Sequence, residues 1–100
     1  MGKSGWIYAA KSNDMKEFRY KIGMTKRNPE LRVKELSISH EDMLIIYYKH
    51  VKDRFKAEKK VFYLLKDYIV EEGKELVDIY DYDIIKTTFN YVSEMQEKYD

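Results

Sequence analysis

No cysteine occurs in these 100 residues, which removes disulfides and zinc–thiolate centres and suits a reducing compartment. No apolar run approaches the length needed to span a bilayer, and the Lys3-Ser4 start lacks the character of a signal peptide. The expected location is intracellular, in the cytoplasm or nucleus of the producing or host cell. No repeat, linker or low-complexity stretch interrupts the chain, so 1–100 reads as a single domain, large enough for one core of a sheet with two or three helices. A content of 44% hydrophobic and 37% charged residues argues against disorder. What is plentiful is tyrosine: ten residues that stack, hydrogen-bond and also suit half-buried strands.

The near-absence of net charge, +1, hides an asymmetry. Lys16, Arg19, Lys21, Lys26, Arg27, Arg32 and Lys34 face only Glu17 and Glu30 over that span, whereas acids dominate from Glu71 onward. A basic stretch of this kind suits a phosphate-facing surface and equally suits a mixed-charge solvated one.

Two glycine-bounded apolar runs, Gly5-Trp6-Ile7-Tyr8 and Tyr20-Lys21-Ile22-Gly23, flank a turn-forming segment from Lys11 to Glu17. They predict a β-hairpin with a longer loop. Asn28-Pro29-Glu30 combines a cap, a first-turn proline and an early acid, predicting a short helix to about Leu36. Arg32 projects from its apolar face and must either snorkel outward or meet an anion. Met43 to Val51 reads as a strand buried on both faces near the sheet centre, with Tyr47, Tyr48 and His50 in packing roles or reaching a ligand.

Asp53 is expected to cap a long helix from Arg54 to about Ile69, ended by Gly73. At ~100° per residue, Phe55, Val61, Phe62, Leu64, Leu65, Tyr68 and Ile69 fill half of its wheel and lysines most of the rest. Glu58 falls near the middle of the apolar half. An unpaired carboxylate there is costly, so it needs a basic partner or a metal. Glu75 to Tyr80 reads as a short strand or extended segment, and Asp81 begins a last helix that covers the core.

Taken together, Gly5-Trp6-Ile7-Tyr8, Tyr20-Lys21-Ile22-Gly23, Leu31-Arg32-Val33-Lys34-Glu35-Leu36, Ala57-Glu58 with Val61-Phe62, and Gly73-Lys74-Glu75-Leu76-Val77 resemble the motifs of the GIY-YIG nuclease superfamily. The nearest branch is the phage and large-virus one, often described as a DNA-binding or meiotically up-regulated domain. The resemblance implies an α+β fold, a small three-stranded antiparallel sheet flanked by helices, and Mg²⁺- or Mn²⁺-dependent hydrolysis of DNA phosphodiesters. By position it implies that Tyr8 assists the attacking water, Lys21 supplies a cation, Arg32 stabilises charge on the phosphate and Glu58 holds the metal. Tyr20, Lys26, Arg27 and Lys34 would contact DNA.

Two departures bear on catalysis. Lys21 stands where most members carry a second tyrosine, and Phe62 where this branch commonly has a histidine that neither His40 nor His50 obviously replaces. The expected function is a metal-dependent DNA endonuclease. A DNA-binding module on the same scaffold is the alternative, and a protein-interaction domain using the acidic half a third. A protein partner or a second copy would supply targeting that so small a domain lacks.

Overall fold

The computed structural model describes residues 2–31, 43–70 and 73–99. In chain order the elements are β1 (Gly5–Lys11), β2 (Arg19–Thr25), β3 (Leu44–Val51), α1 (Arg54–Leu64), a 3₁₀ turn (Lys66–Tyr68), β4 (Ile69–Val70), β5 (Gly73–Asp78) and α2 (Tyr82–Tyr99). The strands form one antiparallel sheet in the order β3-β1-β2-β5-β4, so the class is α+β with five strands rather than the three expected from sequence. The three expected strands do share that sheet. The extra two are β5, whose sequence marks it only as short and extended, and β4, a two-residue strand too short to leave a periodic signal.

The hairpin forms because its loop satisfies its own polar groups. Met15 N–H donates to the Ser12 carbonyl at 3.1 Å, and the Lys11 ammonium donates to the carbonyls of Lys16 and Arg19 at 2.6 and 2.9 Å. At the hairpin's mouth Arg19 faces Asp78 across the β2–β5 ladder, and two guanidinium N–H groups reach its carboxylate at 2.8 and 3.0 Å. Those hydrogen bonds hold the Asp78 carboxyl below its ordinary pKa.

Alternation along β1 sorts the molecule into two layers. Ile7 and Ala9 join Ile22, Val51 and Val77 beneath α1 and α2, which contribute Ala57, Val61, Ile85, Phe89 and Val92 to the main core. Tyr8 and Ala10 face the other way, onto a smaller cluster with Met43. Strand β3 lies at the sheet edge, not at its centre. Its run of apolar and aromatic residues alternates in exposure, with Leu44 66% exposed, because among the described residues β1 is its one strand neighbour and β2 takes the other side of β1 through the hairpin.

Helix α1 starts where expected: the Asp53 carboxylate accepts from the Lys56 N–H at 3.1 Å. It ends at Leu64 rather than Ile69, and Ile69-Val70 return to the sheet, so Gly73 opens β5 opposite Val70 instead of closing the helix. Pro29 is buried at the start of a helical turn whose Asn28 side chain accepts from the Glu30 N–H at 2.9 Å. The expected continuation of that helix lies outside the described residues. Among the described residues no helix is long and apolar enough to cross a membrane.

Gln96, buried on α2, clamps the start of α1. Its amide accepts from the Asp53 N–H at 3.0 Å and donates to the Asp53 carbonyl at 2.9 Å. Replacing it by leucine leaves both backbone groups without that partner. Gln96→Leu is expected to lower unfolding stability by about 1–3 kcal/mol, read as an earlier urea midpoint at unchanged slope.

Candidate functional site

The outer face of β1 and β2 carries Trp6, Tyr8 and Ala10 opposite Thr25, Gly23 and Lys21. Tyr8 is 1% exposed and lies flat over Gly23: a β-carbon added there would sit 2.5 Å from the Tyr8 hydroxyl oxygen and 2.6 Å from Cζ. Gly5 has a similar reason, since its β-carbon would meet the Thr25 carbonyl oxygen at 2.5 Å. Both motif glycines are therefore places where another group needs the space. On the β3 side Tyr48 pairs with Tyr8, and Trp6 meets the rings of Tyr48 and His50 edge-on at 5.5 and 4.9 Å. His50 thus belongs to the aromatic wall beside Tyr8.

Lys21 is the diagonal neighbour of Tyr8 on this face, a relation that sets α-carbons about 7–8 Å apart. Its ammonium forms an ion pair with Glu75 at the end of the β2–β5 ladder. Glu58 reaches the same charges from α1. Burial pushes its carboxyl above the ordinary range, the Glu75 carboxylate pushes it further, and Lys21 partly opposes both. Lys21 thus stands diagonal to Tyr8 on the outer face, while Glu58 acts on the Lys21–Glu75 pair from α1, which packs against the opposite face.

Glu58 is half-buried at the margin of the inner face of α1, not in its middle. The inward residues are Ala57, Val61 and Leu65, while Phe55 is 50% exposed and Leu64 also faces solvent, so the true apolar face is narrower than the wheel implies. Glu75 has no role that the sequence alone assigns, although it stands inside one of the family-like motifs. The motif is a signal of sorts, but only the pairing of β5 with β2 shows which cation and which carboxylate Glu75 meets.

Arg32 and Lys34 lie outside the described residues. Lys26 and Arg27 are exposed just past the end of β2, where the Arg27 N–H donates to the Thr25 hydroxyl at 3.2 Å. Tyr20 faces the helix layer, packed against the main core and stacked with Tyr82 at 6.1 Å, on the side of the sheet away from Lys21. Of the basic stretch, Arg19 pairs with Asp78 and Lys21 with Glu75, while Lys26 and Arg27 stand exposed beyond the end of β2.

A model of the T5orf172 domain matches residues 5–95, nearly the whole chain. The chain belongs to the T5orf172 domain family. The match begins at the Gly5 of β1 and runs through Tyr8, Lys21, Glu58 and Glu75 into α2, so the whole of this site lies within the T5orf172 domain. No curated protein and no solved structure matches the chain.

Among the described residues no group of three or more histidine, aspartate or glutamate side chains is placed to hold a metal. The T5orf172 domain does, however, set the half-buried Glu58 under the repulsion of Glu75. That crowding is what a divalent cation relieves, and Mg²⁺ commonly takes one or two carboxylates and completes its shell with water and phosphate oxygens. Glu58, with Glu75 beside it, is the residue that would hold such an ion.

Proposed function

We propose that this T5orf172 domain is a GIY-YIG-type endonuclease that hydrolyses DNA phosphodiesters with a divalent metal. The observation that carries the reading is the juxtaposition of Glu58 with Lys21 and Glu75 at the edge of the face where Tyr8 lies over Gly23. Glu58, with Glu75 beside it, would hold Mg²⁺ or Mn²⁺, which when bound supplies Lewis-acid polarisation of a phosphate oxygen.

The remaining work falls to the chain's own groups. Tyr8 is fixed by packing, so its hydroxyl can take part in proton transfer from an attacking water without a cost of ordering. Lys21 provides the neighbouring cation that favours such a transfer, and Glu75 holds that ammonium in place. Arg32 would meet the charge developing on the phosphate. The water's oxygen would bond to phosphorus as one P–O bond to a sugar breaks, the departing sugar oxygen taking a proton from solvent water and leaving as a hydroxyl.

The test is incubation of the whole chain with supercoiled plasmid and with a branched duplex, in Mg²⁺, in Mn²⁺ and in EDTA. Nicking that requires metal is the expected result; intact DNA in all three conditions overturns the nuclease reading. A second reading, a domain that binds DNA without cutting it, is favoured by the ion pair that already occupies Lys21. It predicts binding with no nicking.

The binding surface is assigned to Lys26 and Arg27 next to the Tyr8 face. Replacing both by alanine is expected to weaken duplex binding on any sequence and to lower the slope of log K against log salt by roughly 0.9 for each phosphate no longer neutralised. An unchanged slope moves the surface elsewhere.

A further inference from the structure

The outward face of α1 carries charge and aromatic surface that the Tyr8 face does not use. Lys56, Lys59, Lys60 and Tyr63 fall within about 100° of the helix circumference, turned away from the buried Ala57 and Val61 and across the helix from Glu58. Lys66 follows in the 3₁₀ turn. Among the described residues none of these four lysines has a carboxylate partner. Four like charges on one short face, with no acid in the first turn of the helix, raise the cost of leaving the face empty.

The lysines are interleaved with exposed rings. Tyr63, 60% exposed, lies between the ammonium groups of Lys60 and Lys66, at 5.4 and 4.9 Å from its centroid. Lys56 and Lys60 also form one wall of a groove whose other wall is α2, with Tyr91, Met95 and Tyr99. Tyr91 and Tyr99 keep much of their surface in solvent. The groove and Glu58 occupy opposite flanks of α1, so a ligand here would not compete with the Tyr8 face.

We infer that the outward face of α1, continued by the groove between α1 and α2, is a second nucleic-acid surface, one that takes a single strand. The chemistry selects the ligand. Ammonium groups without carboxylate partners along a helix match a row of phosphates, and exposed rings among them match the faces of unstacked bases, which a duplex keeps hidden. A folded duplex would use the lysines and leave the tyrosines idle. This surface does not depend on the metal chemistry at Glu58, and its failure would leave that reading standing.

The test separates charge from stacking. Binding of the whole chain to a labelled oligothymidylate is measured in EDTA, which prevents cleavage, across a series of salt concentrations. The triple variant Lys56→Gln, Lys59→Gln, Lys60→Gln is expected to bind at least about tenfold more weakly and to lower the salt slope by roughly 0.7 for each phosphate no longer neutralised. Tyr63→Ala, at an exposed position, is expected to lose about tenfold in affinity with the salt slope unchanged. Wild-type affinity in the triple variant overturns the inference, as does a Tyr63→Ala variant that binds like wild type. Loss by the triple variant of binding to phosphatidylserine vesicles, with oligothymidylate binding intact, overturns it in favour of a membrane surface.

Discussion

Glu58→Gln is expected to lower metal-dependent DNA cleavage on the order of 10²–10³-fold while making the protein more stable at neutral pH. The first effect follows from removing the charge that would hold the metal, at a site where one preorganised group is worth that much. The second follows from burial and from Glu75, which raise the Glu58 carboxyl above its ordinary value of 4.5. The folded protein then binds that proton more tightly than the unfolded chain does. Stability tied to the protonated form is fully present below about pH 4.5 and is lost as pH rises through the raised value.

Glutamine escapes that loss. The variant's melting temperature should exceed the wild type's at pH 7 and converge with it below pH 4.5. Mg²⁺ should raise the melting temperature of the wild type and leave that of Glu58→Gln unmoved, because only an ionised carboxylate offers the metal a site. DNA binding should persist, since a negative charge near the phosphate is removed. Full cleavage by Glu58→Gln would refute the nuclease assignment. A variant less stable than wild type at pH 7 without metal would instead show that Glu58 serves the fold through Lys21.

Gly23→Ala should be among the most costly single-methyl changes in the hairpin, alongside Gly5→Ala. The new β-carbon would stand 2.5 Å from the Tyr8 hydroxyl oxygen and 2.6 Å from Cζ, distances that require movement. Tyr8 has nowhere to go, being buried between Gly23 on β2 and Tyr48 on β3. Overpacking of this kind costs about 1–3 kcal/mol, and the displaced hydroxyl should take cleavage down with it. A double-mutant cycle isolates the pair: Tyr8→Ala removes the clashing ring, so Gly23→Ala in that background should cost far less in urea unfolding than it does alone. Additive losses would mean that Tyr8 does not rest on Gly23.

Much of this arrangement is legible in the chain itself, because it depends on neighbours in sequence. Two glycine-bounded strands around a Ser/Asn/Asp loop mark the hairpin. Asp53 marks the start of α1, and Asn28-Pro29 that of the helical turn, since capping joins groups within three residues of each other. The family-like motifs place Tyr8, Lys21 and Glu58 on three different elements, and their order along the chain carries the family.

Tertiary structure decided what depends on distant pairing. Strand β3 has the composition of a central strand, but centrality is a property of how many neighbours a strand has, and among the described residues β3 pairs with β1 alone. Helix α1 stops short of its sequence signal because Leu65, Tyr68 and Ile69 keep a helical rhythm by chance, while Ile69 and Val70 gain more from pairing with β5. Its inner face is narrower than its wheel because hydrophobicity marks which side chains can be buried, and only the sheet beneath decides which are. For the same reason the sequence of Glu75 shows no role. Its partners, Lys21 and Glu58, are 54 and 17 residues away, and no local pattern encodes a charge supplied across a sheet.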